Sequence, residues 1–278
     1  MTSLVFFGNT IFSRTILEWL SQESLIKIVG VVTRPDKPVG RKKIITPTPV
    51  KEYALKEKIQ VHETEKLSTF LDAFQSLHPD LCVVAAYGKI IPKSFLALPK
   101  YGYINVHASL LPKYRGASPI QHAILSGEKN TGITIMKMNE KLDQGPILIQ
   151  GKLPIEDSDT TETLSLKLAD LGAKLLIESL PLYLNGTLQP KPQRDAEASY
   201  CSTVTHTDAK IDWTKPHDET KRKIRAMYPE PLAWTEWNGK KLQFLPGHRV
   251  KLEGKKEMPF DVFVRGHKDF TLPVPDSW

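Results

Sequence analysis

The feature that most constrains the fold of this chain is the alternation, near its beginning, of short apolar runs with segments of helical periodicity. Residues 4–8 are apolar and end in a glycine, residues 10–20 place apolar side chains along one helical face, and residues 26–32 form a second, β-branched run. A strand, a helix and a strand in this order predict a parallel sheet with crossover helices. Residues 81–86 are apolar throughout, which is typical of a central parallel strand. We therefore predict a Rossmann-like α/β domain.

The remaining elements of this domain follow from the same periodicities. The sequence predicts further strands at residues 102–107, 132–138 and 147–154, and helices at residues 50–58, 67–77, 119–125 and 160–184. Residues 33–49 interrupt the pattern with four prolines and one glycine, so we predict a long loop there.

The length of 278 residues suits two modest domains, because single hydrophobic cores stop growing at about 250 residues. Residues 185–204 are polar and contain two prolines, a composition typical of an interdomain linker. Beyond them, strands at residues 232–236 and 241–245 flank the turn signal Asn238 and Gly239, which indicates a small β-structure. We predict a catalytic domain at residues 1–188, a linker at residues 189–205 and a C-terminal domain at residues 206–278.

Cysteine usage and hydropathy indicate where the chain works. Cys82 and Cys201 are far apart and form no CxxC pair, so we expect no disulfide framework, no cysteine-based zinc site and a reducing compartment. The N-terminus reads as a first strand and not as a signal peptide, and no apolar stretch approaches the roughly 20 residues that span a bilayer. Neither an HExxH motif nor a coiled-coil pattern occurs. We expect a cytoplasmic monomer with no metal and no membrane partner.

The net charge of +7 is concentrated in two parts of the chain. Residues 33–51 contain six Lys or Arg and one Asp, an excess of +5, and residues 205–278 contain 14 basic and 11 acidic residues, an excess of +3. Clustered positive charge of this kind can steer a polyanion such as a nucleic acid. The alternative, which charge alone favours, is a solubilising surface.

Two polar residues near the end of a predicted strand are candidates for chemistry. If residues 103–107 are extended, Asn105 and His107 point to one face, and Ile104 and Val106 point to the other. Open α/β sheets place their sites at the carboxyl ends of the strands. The alternative is a hydrogen-bonded asparagine beside a histidine at the edge of the core.

A later carboxylate completes a set that suits acyl transfer to an amine. Asp143 lies in a loop before a predicted strand, and an aspartate that reaches His107 would orient its ring. Asn105 and His107 could stabilise a developing oxyanion, and the Asp–His pair could handle the proton of an amine whose pKa is about 8. No GxSxG elbow and no GxGxxG fingerprint occurs, so the residues do not favour a serine hydrolase or a dinucleotide site.

Several longer segments carry a resemblance to a known family. They are residues 31–51, 83–93, 104–121, 131–148, 209–213 and 224–234, and they include VVTRPDKPVGRKKIITPTPVK, INVHASLLPKYRGASPIQ and TGITIMKMNEKLDQGPIL. Over most of its length the chain resembles the methionyl-tRNA formyltransferases, a branch of the folate-dependent formyltransferases. Residues 33–49 resemble the insertion with which that family enters the acceptor end of tRNA.

The resemblance implies a function and roles for individual residues. It implies transfer of the formyl group of 10-formyltetrahydrofolate to the amino group of initiator methionyl-tRNA, with Asn105, His107 and Asp143 as catalytic residues. It implies folate contacts by Ser109, Leu110, Leu111, Pro112, Tyr87, Gly88, Ile90 and Ile91. It implies contacts with the tRNA acceptor end by Arg34, Lys37, Arg41, Lys42 and Lys43. It also implies an OB-like C-terminal barrel that contacts tRNA, shortened here between residues 250 and 252.

One further departure and three rival functions accompany the resemblance. Gln144 stands where the family more often has a small residue. A formyltransferase acting on an amino-sugar nucleotide or on glycinamide ribonucleotide would keep the same three catalytic residues, but it would not account for the basic segment 33–51. A formyltetrahydrofolate hydrolase would need no amine acceptor. A catalytically idle RNA-binding protein that reuses the fold is the rival from outside the enzymes.

Overall fold

The structure is a computed structural model that describes residues 1–39 and 43–278. Its strands are β1 (Thr2–Gly8), β2 (Ile26–Thr33), β3 (Lys37–Val39), β4 (Ile44–Thr46), β5 (Val61–Glu63), β6 (Leu81–Ala85), β7 (Tyr103–His107), β8 (Arg115–Gly116), β9 (Asn130–Lys137), β10 (Ile147–Pro154), β11 (Tyr200–Cys201), β12 (Ala233–Trp237), β13 (Lys240–Leu245), β14 (Arg249–Leu252) and β15 (Met258–Pro259). Its α-helices are α1 (Ile11–Leu20), α2 (Pro49–Lys56), α3 (Leu71–Ser76), α4 (Lys93–Leu96), α5 (Pro119–Leu125), α6 (Thr161–Leu184), α7 (His217–Ala226) and α8 (Phe260–Gly266).

The chain divides into two compact units. The first consists of Met1–Arg115, Gly132–Leu153 and Leu166–Tyr200, and the second consists of Gly116–Thr131, Pro154–Ser165 and Cys201–Trp278. Among the residues that the structure describes, no helix is both long and apolar enough to cross a membrane.

A seven-stranded sheet forms the centre of the first unit, in the order β10-β9-β7-β6-β1-β2-β5. The pairs β1–β2, β1–β6, β6–β7 and β2–β5 are parallel, and β7–β9 is antiparallel. In β1, the four consecutive residues from Leu4 to Phe7 are fully buried, as expected of a strand that is covered on both faces. The prediction of a mostly parallel α/β sheet is confirmed.

An aromatic cluster supports the carboxyl end of this sheet. The ring of Phe7 lies 5.4 Å from that of Tyr87 and 5.7 Å from that of Tyr103, and Phe74 packs 6.1 Å from Phe7. All four rings are buried, and burial of each such side chain stabilises the fold by about 2 kcal/mol. The cluster therefore fixes the segment that follows β6 against the sheet.

Asn9 joins the ends of three strands at the same edge. Its amide group donates to the carbonyl of Tyr87, and its Oδ1 atom accepts from the Thr33 hydroxyl at 2.9 Å and from the Arg34 amide at 2.8 Å. The side chain is buried, so these bonds satisfy polar atoms that water does not reach. They hold the ends of β1, β2 and β6 in a fixed relation.

The prediction of a long loop at residues 33–49 is wrong in part, because β3 and β4 form a short antiparallel hairpin there. Lys37 pairs with Thr46, and the prolines are tolerated because the ribbon has only two strands. Below the hairpin, Lys51 Nζ lies 2.8 Å from Asp36 and 2.9 Å from Glu63. The hydrogen bond to Asp36, and to a lesser extent the one to Glu63, raises the pKa of Lys51. The ammonium group that joins these two carboxylates at the base of the hairpin therefore stays charged.

The second unit contains a four-stranded sheet in the order β12-β13-β14-β15, with antiparallel pairing throughout. Asn238 and Gly239 both have positive φ angles, 48° and 69°, which a tight two-residue hairpin requires. Helix α7 closes the core of this unit with Ile224, while its other positions are mostly charged. The predicted small β-domain is confirmed, whereas α7 and α8 were not predicted, because most residues of α7 are charged and α8 is only seven residues long.

Candidate functional site

The three predicted catalytic side chains meet at the carboxyl end of β7. Asn105 Nδ2 lies 3.5 Å from Asp143 Oδ1, and His107 Nδ1 lies 3.7 Å from Asp143 Oδ2. Asn105 and His107 share a face because they are two apart in a strand, and Asp143 reaches them from the loop between β9 and β10. The arrangement places an amide donor, an imidazole and a carboxylate around one point.

The backbone carbonyl of Tyr114 fixes the orientation of the His107 ring. His107 Nε2 lies 3.0 Å from the Tyr114 oxygen, and because a carbonyl can only accept, Nε2 carries the hydrogen. Nδ1 is then the atom that faces Asp143. The side chains of His107 and Asp143 are only 6% and 11% exposed, so water screens their interaction weakly.

The backbone around Asp143 adopts a constrained turn. Asp143 has a φ angle of +49°, a left-handed conformation that Asp and Asn tolerate better than most residues. A Cβ atom at Gly145 would lie 1.8 Å from the carbonyl oxygen of Lys137, so only glycine permits the loop to pack this closely on the end of β9. To present the Asp143 carboxylate, the turn therefore needs a residue that tolerates a positive φ angle at position 143 and a glycine at position 145.

Gln193 holds the same turn from outside. Its Nε2 atom donates to the carbonyl oxygens of Asp143 at 2.9 Å and of Gly145 at 2.8 Å. Its Oε1 atom accepts from Arg115 Nε at 3.0 Å and from Arg115 Nη2 at 2.7 Å. Sequence reasoning missed Gln193, because it lies in a polar, proline-containing stretch with no periodicity.

Among the residues that the structure describes, Arg115 is the largest fully buried side chain, at 1% exposure. Burial acts to lower the pKa of its guanidinium, but hydrogen bonds to Asp195 at 2.7 Å and Tyr200 at 3.4 Å more than offset this, and the pKa is raised. Arg115 is therefore a permanent cation behind the site.

Gln144, the departure from the family pattern, has its own partner. Its Nε2 atom donates to the Tyr200 hydroxyl at 3.4 Å. Its side chain thus contacts the segment after α6 without replacing either of the Gln193 contacts to the turn.

The residues predicted after β7 form a tightly bonded turn. The Ser109 hydroxyl donates to the Lys113 carbonyl at 2.6 Å, and Thr134 Oγ1 donates to the Ser109 carbonyl at 2.7 Å. Ser109 and Leu111 are buried, whereas Leu110 and Pro112 are partly exposed. Of these four predicted residues, Leu110 and Pro112 are thus the ones whose side chains remain accessible.

The residues predicted after β6 divide in the same way. Tyr87 and Ile91 are buried in the core, and burial followed by the charge of Glu65 raises the pKa of Tyr87 to about 12. Gly88 is exposed, and Ile90 is 84% exposed. An apolar side chain this exposed is available for contact with a ligand.

Three of the five predicted tRNA-contacting cations are described, and they lie on or beside the hairpin. Arg34, Lys37 and Lys43 are exposed, and Lys37 Nζ lies 3.8 Å from Glu65. Arg41 and Lys42 lie outside the described residues. Within residues 1–39 and 43–278, no group of three or more His, Cys, Asp or Glu side chains could hold a metal ion.

Comparisons with known proteins bear on this geometry. The formyl transferase family profile matches residues 1–180, and the profile of the formyl transferase C-terminal domain matches residues 203–259. The chain is 44% identical over 276 residues to the methionyl-tRNA formyltransferase of Halalkalibacterium halodurans, which covers 99% of this chain and 86% of that protein.

Two solved structures share the fold at low identity. The methionyl-tRNA formyltransferase from Clostridium thermocellum matches with a TM-score of 0.63 and 16% identity, covering 93% of this chain and 96% of that one. An N-formyltransferase from Helicobacter canadensis, in complex with folinic acid and dTDP-3-aminofucose, matches with a TM-score of 0.66 and 21% identity, covering 91% and 95%. At these identities the likeness concerns the fold alone.

Proposed function

We propose that this chain, a member of the methionyl-tRNA formyltransferase family, transfers the formyl group of 10-formyltetrahydrofolate to the amino group of methionyl-initiator-tRNA. Its membership of the family rests on 44% identity across 99% of the chain. The product, formylmethionyl-tRNA, serves translation initiation. The chain is thus a one-carbon transferase with a folate co-substrate.

The observation that carries the proposal is the meeting of Asn105, His107 and Asp143 at the end of β7, with contacts of 3.5 and 3.7 Å. In the proposed roles, Asn105 donates a hydrogen bond to the formyl oxygen as it becomes an oxyanion, and His107 adds a second donor. Asp143 stabilises the positive charge that develops on His107 while a proton moves.

The reaction requires one bond to form and another to break. The amine nitrogen of the methionyl group bonds to the formyl carbon, and the carbonyl electron pair moves to the formyl oxygen. The bond from that carbon to N10 of the folate then breaks, and a proton leaving the amine reaches N10 by way of His107. An α-amino group has a pKa of about 8, so part of it must lose a proton before it can attack.

Both ring nitrogens of His107 face acceptors of the protein, Nε2 the Tyr114 carbonyl and Nδ1 the Asp143 carboxylate. We propose that, when substrate arrives, Nε2 exchanges its contact with Tyr114 for the reacting group and the ring hydrogen is held on Nδ1 beside the Asp143 carboxylate, so that Nε2 is free to accept the amine proton and pass it to N10. Catalytic hydrogen bonds commonly tighten only in the substrate complex.

We propose that the folate contacts come from the turns after β6 and β7, where Gly88, Ile90, Leu110 and Pro112 are accessible. The tRNA acceptor end would be engaged by Arg34, Lys37, Arg41, Lys42 and Lys43. We also propose a catalytic domain at residues 1–188, a linker at 189–205 and a tRNA-contacting domain at 206–278. The protein would act as a monomer in the cytoplasm.

A surface on the second unit supports a role in binding RNA. Lys210 Nζ and Lys241 Nζ lie 5.5 and 5.0 Å from the ring centroid of Trp234, and His206 packs 5.0 Å from the same ring. Cations around a partly exposed aromatic ring suit a polyanion with stacking bases.

The deciding experiment supplies 10-formyltetrahydrofolate and methionyl-tRNA and follows formylmethionyl-tRNA. We expect product only when both substrates are present, and almost none with His107→Ala. Folate turnover without tRNA would instead indicate a hydrolase, and tRNA binding without any turnover would indicate an idle RNA-binding protein. Formylation of an amino-sugar nucleotide or of glycinamide ribonucleotide in place of tRNA would indicate a sister enzyme.

A further inference from the structure

The segment that follows α6 contacts two loops, the one that presents Asp143 and the one whose Tyr114 carbonyl meets His107. We propose that Gln193 is a positioning residue for the reaction, and that it fixes the Asp143 carboxylate beside His107. The inference rests on the proposed function, because its effect is read in the formylation rate. It gives a role to residues that composition alone describes as a linker.

The side-chain amide of Gln193 donates both of its hydrogen bonds to one turn. The acceptors are the carbonyls of Asp143 at 2.9 Å and Gly145 at 2.8 Å, which lie on either side of Gln144. The turn includes the left-handed backbone of Asp143, a conformation that persists only when its surroundings enforce it. Gln193 supplies part of that enforcement.

Arg115 decides which way the Gln193 amide points. A guanidinium has donors only, so the atom of Gln193 that faces Arg115 at 3.0 and 2.7 Å must be the oxygen. The amide nitrogen must then face the two carbonyls. Because Arg115 is buried and also bound to Asp195 at 2.7 Å, the orientation of Gln193 is locked from behind.

The same segment also holds the partner of His107. Ser199 Oγ accepts from the Tyr114 amide at 2.9 Å, and the Ser199 carbonyl accepts from the Arg115 amide at 2.9 Å. Tyr114 is the residue whose carbonyl meets His107 Nε2 at 3.0 Å. Residues 193 to 199 therefore restrain the loop that orients His107 and the loop that presents Asp143.

The catalytic contacts have little tolerance for movement of the turn. Asp143 stands 3.5 Å from Asn105 and 3.7 Å from His107, already at the long end of polar contact. A misplacement of about 1 Å can reduce a rate by about a hundredfold. Gln193 bonds to the backbone of the turn and to Arg115, so its loss should lower kcat and leave KM for both substrates nearly unchanged.

Gln193→Glu is the sharpest test, because it preserves size and keeps oxygen atoms for Arg115. It replaces the two donors to the turn with an oxygen that faces two carbonyl oxygens. We expect kcat to fall by about 10- to 100-fold, with KM for folate and tRNA within about twofold. Gln189→Glu is the matched control, since Gln189 is exposed and donates to the Gly186 carbonyl at 2.7 Å, on a turn outside the site. It should leave kcat unchanged.

The binding stoichiometry of tetrahydrofolate separates positioning from unfolding. An unchanged stoichiometry in Gln193→Glu, together with the lower kcat, supports the positioning role. A stoichiometry that falls in step with kcat overturns it, as does a kcat within twofold of the wild-type value. If the wild-type protein formylates methionyl-tRNA and the variant equals it, the inference alone fails. A wild-type protein without this activity removes the proposed function and the inference together.

Discussion

Replacing Asp143 by asparagine should lower the rate of formyl transfer by about a hundredfold or more. The change removes one negative charge and keeps the shape of the side chain. Asparagine also tolerates the left-handed backbone at this position, where φ is +49°, so the turn itself should not be strained. Its Oδ1 atom can still accept the hydrogen bond from Asn105. The variant therefore reports on charge more than on structure.

The expected magnitude follows from the distance of 3.7 Å between Asp143 Oδ2 and His107 Nδ1. Two unit charges near this separation interact by about 1 kcal/mol in water and by about 4 kcal/mol at the effective dielectric constant of a protein site. Because the side chains are 6% and 11% exposed, the pair lies nearer the second case. If His107 gains positive charge in the transition state, about 3 to 4 kcal/mol corresponds to a rate loss of about 10² to 10³.

The assay is single-turnover formation of formylmethionyl-tRNA with enzyme in excess over tRNA, so that product release does not obscure chemistry. Glu140→Gln is the matched control, since it removes a charge from the same loop at a side chain that is 59% exposed and paired with Lys93. We expect that control to react within twofold of the wild-type rate. A rate for Asp143→Asn within threefold of wild type, or an equal loss in the control, would refute the assigned role.

Two further predictions concern tRNA binding and acid stability. Arg41→Ala should weaken methionyl-tRNA binding and reduce the slope of log affinity against log salt by about one, measured between about 50 and 200 mM salt; an unchanged slope would exclude a phosphate contact. Asp80 accepts from the Ser3 amide at 2.9 Å and the Ser3 hydroxyl at 2.8 Å, and these bonds lower its pKa. The carboxylate should therefore stabilise the fold above its unfolded pKa of about 3.9 and lose that effect as pH falls through the lower folded pKa. Asp80→Asn should cost about 1 kcal/mol in urea unfolding near neutral pH, and a cost that does not diminish in acid would contradict this.

Much of the fold could be predicted from the sequence because its elements have strong local signals. Residues 4–7 in β1, 28–32 in β2 and 81–85 in β6 form short runs without charged residues, and the turn at Asn238 and Gly239 has residues that accept positive φ angles. Helix α7 was missed because most of its residues are charged and only a few, Ile224 among them, are buried. The hairpin of β3 and β4 was missed because prolines usually indicate irregular structure.

The candidate site was only partly predictable, because some of its contacts join neighbours in one strand and others join residues far apart in the chain. The strand period places Asn105 and His107 on one face, and the family resemblance pointed to Asp143. Gln193 gave no signal, since its partners Asp143 and Arg115 are 50 and 78 residues away in the chain. A single glutamine in a polar stretch looks the same whether it is solvated or bonded.

The sequence by itself determined the alternation of strands and helices, the position of the basic segment and the pairing of Asn105 with His107 on one face, because these depend on periodicity and residue type over a few neighbours. Only the tertiary structure decided that Asp143 meets His107 at 3.7 Å, that the Tyr114 carbonyl sets the proton on Nε2, and that the segment after α6 braces both loops. The contacts of Asp143 and Gln193 join residues far apart in the chain, and the nearby Tyr114 carbonyl is held in place by Ser199, 85 positions away, so short-range preferences do not encode them.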